Sequence, residues 1–195
     1  MPSRSLLLYI NGAILLVCAV VVSGDIRKPV LTALLLFLPL LNYNYRHKGF
    51  TSVDKSSLIG RYAVLGILLV ICILDTTYSI IEQLTLLISI LLFTALPEEW
   101  FFRRYFQETV KNTLKSGKKF NTQPHLLSNL ITSLLFTLLH LPIQGAAGAA
   151  VFIPSLILGY IYQKKKDLIF VILLHSLFNI VYIRYLADTG LMPPY

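Results

Sequence analysis

The chain has 195 residues, 56% hydrophobic and 13% charged, with a net charge of +8 and a mean hydropathy of +0.72. A soluble domain carries about 25% charged residues, and the apolar residues here form long runs instead of amphipathic stripes, which excludes a water-soluble globule and indicates a polytopic membrane protein. The basic residues sit in the short segments between those runs, as the positive-inside rule expects, so nucleic acid is not an expected partner.

Leu6 to Val22, preceded by Arg4, is the first expected span. Ser23-Gly24 follows it without an A-x-A pattern, so an uncleaved helix is expected instead of a signal peptide. After the polar turn Asp25 to Lys28, Pro29 suits the first turn of a second helix, Val30 to Tyr43, with Tyr43 and Tyr45 at the interface. Asn44 to Arg61 is read as a basic connection in which His47 is a solvated loop residue. Tyr62 to Ile81 is the third span, followed by an acidic connection around Asp75 and Glu82. Cys18 and Cys72 lie inside apolar runs, show no CxxC spacing, and read as packing residues.

A fourth helix runs from Glu82 past Arg104 to about Lys111, interrupted by Pro97 one residue before Glu98 and Glu99. Proline removes a backbone hydrogen bond and kinks such a helix. A basic loop, Lys111 to Pro124, leads to the fifth helix, Leu126 to His140, which Pro142 ends. The small residues from Gly145 to Ala150 open a sixth helix, and they allow close backbone packing. The turn Gln163 to Asp167 precedes the seventh helix, Leu168 to Leu186, and a short tail with Pro193 and Pro194 follows.

Seven spans place Arg4, Arg46, Lys48, Lys55, Arg61, Arg103, Arg104, Lys111, Lys115, Lys118, Lys119 and Lys164 to Lys166 on one side. That is 14 basic residues against Arg27 and Lys28 on the other. The N-terminus is therefore expected in the cytoplasm and the C-terminus outside. The fold expected is all-α: one integral membrane domain over residues 1–195, with accessory helices at 1–81, a catalytic core at 82–187 and a tail at 188–195. The site is expected within the last four helices.

Ionisable groups inside a membrane protein face its interior or a water-filled cavity and mark function. Here those groups are Glu98, Glu99, His140 and His175, joined by Asn179. His175 and Asn179 are four residues apart and share a helix face, as do Phe136 and His140. Glu99 and Arg103 are spaced for an intrahelical ion pair, while Glu98 is rotated by about 100° from Glu99. The set suits hydrolysis: Glu98 takes a proton from water that His140 holds, and His175 and Asn179 donate to the oxyanion. Nothing suggests a nucleophilic enzyme, because there is no G-x-S-x-G and neither cysteine neighbours a histidine.

Glu98-Glu99-x-x-x-Arg103, Phe136-x-x-x-His140 and His175-x-x-x-Asn179, in this order on successive helices, resemble the CAAX protease and bacteriocin-processing family. Its type II CAAX prenyl endopeptidases are glutamate-dependent intramembrane proteases. The resemblance covers residues 84 to 186, and every motif position matches. It implies Glu98 as the water-activating base assisted by His140, with His175 and Asn179 as the oxyanion site. Glu99 and Arg103 would support the site and Phe136 would pack beneath His140. It also implies metal-independent hydrolysis with no cofactor. The partners implied are the lipid bilayer and a membrane-associated peptide or protein substrate, and a chain this small is similar to prokaryotic members, placed in the cell's inner membrane.

Three other readings stand beside this one. A non-catalytic scaffold or self-immunity protein could share the fold, a zinc protease could use the two histidines and a glutamate, and a proton-coupled transporter could use buried Glu and His as a relay. No H-E-x-x-H and no evident inverted repeat support the last two. Depth poses a further question. Glu98 and His140 each lie about 22 Å along helices that start from opposite faces. A kink at Pro97, a tilted fifth helix or a cavity open to the cytoplasm would bring them together.

Overall fold

A computed structural model describes residues 4–41, 55–75, 77–116 and 123–186. The readings placed on Tyr43 to Lys48, on Gly117 to Lys119 and on the tail after Leu186 lie outside the described residues. Every regular element among the described residues is helical. These are α1 (Arg4–Val21), α2 (Arg27–Phe37), α3 (Lys55–Leu74), α4 (Ile80–Ser116), α5 (Pro124–Gln144), α6 (Phe152–Lys165) and α7 (Leu168–Val181). Four apolar stretches are long enough to cross a bilayer: α3, α4, Pro124–Lys165 and Leu168–Tyr185; Tyr9–Val21 is shorter. The helical membrane architecture thus stands with four such stretches among the described residues, where seven spans were expected.

Several boundaries differ from the expectation for local reasons. Helix α3 begins at Lys55 and ends at Leu74, instead of running from Tyr62 to Ile81. Its polar first turns are drawn into the fold because Ser57 and Arg61 both bond Asp167. Helix α4 starts at a capping box, in which Ser79 accepts from the Glu82 N–H while Glu82 accepts from the Ser79 N–H. Pro142 does not end α5; it lies inside the helix, and its carbonyl accepts from Arg27 at 3.2 Å. The chain then reverses at Gly145, whose φ of 61° is a left-handed conformation open to glycine. A 3-10 segment, Gly145–Val151, precedes α6, so the small residues expected to begin that helix pack back on α5.

The α5–α6 hairpin is close-packed. A Cβ on Gly148 would stand 2.8 Å from both the carbonyl carbon and oxygen of His140, so only glycine allows this approach. Across the same hairpin Asn129 donates to the Leu156 carbonyl at 2.9 Å, and Gln163 donates to the His125 carbonyl at 2.7 Å.

Helix α4 runs through the centre. Its first half packs Leu87 and Ile90 with Val64, Leu68 and Cys72 of α3 and Ile180 of α7. Its second half packs Phe101, Phe102, Tyr105 and Phe106 with Leu15 of α1, Leu35 of α2 and Phe136 and Leu139 of α5. Asn11 reinforces this by donating to the Tyr105 hydroxyl at 2.8 Å. The outer surface is apolar, with Tyr9, Val21, Leu74 and Ile81 all more than 70% exposed, as a lipid-facing surface requires.

Candidate active site

Around the paired glutamates α4 leaves regular α geometry twice, as π-helix at Ile90–Ala95 and at Trp100–Gln107, with the α-helical turn Leu96–Glu99 between. A π segment shifts the hydrogen-bond register and leaves carbonyls for other donors. One of these, on Phe93, accepts from the Thr32 hydroxyl of α2 at 3.1 Å. Pro97 is buried in the turn that carries both carboxylates.

The depth question resolves from the contacts of Arg103. Its Nη2 donates to Ser155 at 2.9 Å, and Ser155 donates to Ser133 at 3.1 Å, so these three residues are level. From that level Glu98 lies five residues back along α4, about 7.5 Å, and His140 lies seven residues on along α5, about 10.5 Å. The helices are antiparallel, so both displacements point to the same end of the bundle. Straight-span counting failed because α4 is 37 residues long, about 55 Å at 1.5 Å per residue.

Glu99 and Arg103 are both fully buried. Arg103 Nε donates to Glu99 Oε2 at 2.8 Å, and the guanidinium carbon lies 5.8 Å from the Phe136 ring centre. The other carboxylate oxygen, Oε1, is 2.8 Å from His175 Nδ1. A carboxylate already bound to arginine is an acceptor, so Nδ1 carries the hydrogen and donates. The opposite ring nitrogen, Nε2, then faces Glu98 Oε2 at 3.5 Å. Glu98 Oε2 is buried without a hydrogen-bond partner among the described residues.

His140 Nδ1 is 2.8 Å from the Phe136 carbonyl. That carbonyl accepts, which leaves Nε2 as the nitrogen with an available lone pair. The His140 ring packs 4.3 Å from the Phe136 ring, which meets Phe102 edge-on at 5.0 Å and His175 at 6.1 Å. Phe136 therefore packs against both imidazoles.

Glu98, His140, His175 and Asn179 line one cavity of about 440 Å³, with Leu15, Leu35 and Phe102 among its walls. Glu99, Arg103 and Phe136 form the layer behind it. His175 is the histidine within ion-pair distance of Glu98 among the described residues, while His140 meets Glu98 only across the cavity. Gln144 also lines the cavity, whereas Asn129 binds the α6 backbone. Ser133 and Ser155, which hold Arg103 from behind, were not singled out, although Asn129, Ser133, Phe136 and His140 repeat at heptad-like spacing along one α5 face. Among the described residues no group of three or more His, Cys, Asp or Glu side chains is arranged to hold a metal ion.

The fold and these contacts define a helical membrane protein with a buried glutamate–histidine cluster inside its bundle. Residues 80–181 match the family model for type II CAAX prenyl endopeptidase Rce1-like proteins. The match takes in more than half of the chain, and the chain belongs to that family of CAAX-type membrane proteases. It spans all three motifs and leaves α1 to α3 outside, as the motif resemblance implied. Comparison with curated proteins and with solved structures gave no match.

Proposed function

We propose that the protein is an intramembrane glutamic endopeptidase, which hydrolyses a peptide bond of a membrane-associated peptide or protein. The observation that carries this reading is the convergence of Glu98, His140, His175 and Asn179, from three helices, on one cavity. Glu98 and the Nε2 lone pair of His140 hold a water molecule between them, and Glu98 takes its proton as the oxygen attacks the carbonyl carbon. The C–O bond forms and the carbonyl π electrons move to oxygen. Asn179 Nδ2–H and the Nε2–H of His175, acting as an imidazolium with hydrogens on both ring nitrogens, stabilise that oxyanion. When the C–N bond breaks, the proton taken by Glu98 passes to the leaving amine.

Glu99 and Arg103 act through His175 in this scheme. The fixed Nδ1–H to Glu99 bond leaves Nε2 as the nitrogen that faces the reacting group, and Arg103 holds Glu99 in place. The test is cleavage of a candidate tail peptide by purified protein in detergent, comparing wild type with Glu98→Ala and His140→Ala. Cleavage by both variants at the wild-type rate overturns the reading. A chelator arm separates the zinc alternative, since loss of cleavage restored by added zinc would sink the metal-free mechanism.

A further inference from the structure

Polar contacts sort the helix ends into two groups. At one end Arg61 pairs with Asp167 at 2.6 Å and Lys166 pairs with Glu108, while Gln163 donates to the His125 carbonyl. These contacts gather the start of α3, the last turns of α4, the open end of the α5–α6 hairpin and the start of α7. At the other end Arg27 donates to the Pro142 carbonyl, Arg184 pairs with Asp75 at 3.1 Å, and the Gln83 amide bonds the Asp75 carbonyl. These gather the start of α2, the end of α3, the start of α4, the end of α5 and the segment after α7.

The cations divide unequally between the two ends. Lys55, Arg61, Lys111, Lys115 and the run Lys164 to Lys166 occupy the first, whereas Arg27, Lys28 and Arg184 occupy the second. Basic residues near span ends are retained in the cytoplasm, so the first end is the cytoplasmic one.

The cavity belongs to the second end. Its floor is made by the buried Leu15, Leu35, Phe102 and His175, while Lys28, Ser89 and Phe93 are its exposed lining. Gln144 reaches it from the end of α5 and Ile183 from the segment after α7, and the first end contributes none of its walls. We infer that the catalytic cavity is reached from the extracytoplasmic face, and that its substrate is an exported peptide or protein tail held at the outer leaflet. The side of the mouth is read from charge and geometry alone; the substrate class rests on the endopeptidase reading.

Thiol accessibility tests the side without any turnover. In a background with Cys18 and Cys72 replaced by serine, Ser89→Cys and Gln144→Cys place probes at the mouth on two different helices. Lys164→Cys marks the opposite end. A membrane-impermeant maleimide applied to right-side-out vesicles is expected to label the two mouth cysteines, whereas Lys164→Cys reacts only in inverted vesicles. The reversed pattern, or no labelling of either mouth cysteine in right-side-out vesicles, overturns the inference. A second arm adds an acyl-anchored fluorogenic peptide to each vesicle type. Cleavage confined to right-side-out vesicles supports the inference and cleavage confined to inverted vesicles overturns it. Absence of cleavage in both counts against the endopeptidase reading, while the labelling still decides the side.

Discussion

His175 Nδ1 lies 2.8 Å from one oxygen of Glu99, and Arg103 Nε holds the other oxygen at the same distance. One carboxylate thus joins the residue that faces the cavity to a fully buried cation. Removing one partner of a buried ion pair leaves an uncompensated charge, which costs about 3–5 kcal/mol. Glu99→Ala is therefore expected to lower the unfolding temperature of the detergent-solubilised protein sharply. Glu98→Gln, at the cavity wall, is expected to leave it nearly unchanged. Equal unfolding temperatures for Glu99→Ala and wild type would contradict this division of labour between adjacent glutamates.

Kinetics should show the reverse order of importance. In the proposed mechanism Glu98→Gln removes the general base, an effect typically of about 10²–10⁴ in rate. Asn179→Ala removes one oxyanion donor, about 10²–10³ in kcat. KM should move little in either case, because both groups act on the transition state more than on the bound substrate. A raised KM with an intact kcat would reassign Asn179 to substrate binding.

Much of this site was legible in the sequence because charged and amide side chains stand out against apolar runs, and four-residue spacings assign them to faces. Glu99–Arg103 was read as an ion pair on spacing alone, and the structure has that pair. The third member, His175, was not legible there, since a contact 76 residues away depends on how α7 packs on α4. The π segments were equally hidden: nothing in Ile90–Ala95 or Trp100–Gln107 signals a change of helical register, which tertiary packing imposes. Asp167 was read as part of a turn, because its cap and its pairing with Arg61 need a helix over a hundred residues away. Among the described residues four stretches are long and apolar enough to cross a bilayer, one of which, Pro124–Lys165, holds both α5 and α6, so apolar runs in the sequence do not translate one for one into such stretches.

Gly148 gives a test of the hairpin that positions His140. Its missing Cβ lets the 3-10 segment pass against the His140 carbonyl, and a methyl there would meet backbone atoms at 2.8 Å. Backbone cannot swing aside as a flexible side chain can. Gly148→Ala is expected to destabilise by about 1–3 kcal/mol, the range for overpacking a close-packed site, and to reduce activity by displacing His140. Gly66→Ala is the control, since open space surrounds that position. Unfolding temperature and cleavage rate together decide it, and a Gly148→Ala protein indistinguishable from Gly66→Ala in both would show that the approach is not as close as described.

Asp167, in the turn before α7, makes stability depend on pH in a defined direction. Burial pushes its carboxyl up, but hydrogen bonds from Arg61, Ser57 and the Phe170 N–H, with the Arg61 charge, outweigh burial and hold it below the usual carboxylate value. A carboxyl depressed in the folded state contributes stability that is complete above its unfolded pKa, about 3.9. That contribution disappears as pH falls through the lower folded value. Asp167→Asn should therefore be less stable than wild type by about 2 kcal/mol near neutral pH, the scale of a hydrogen bond to a charged group. The difference should stay constant from pH 7 to 5 and narrow progressively below pH 4. Denaturant unfolding of both proteins in detergent at stepped pH measures it. A gap that held constant down to pH 2.5 would mean that the Arg61–Asp167 pair does not depress the carboxyl, and that the α3–α7 junction is held by packing alone.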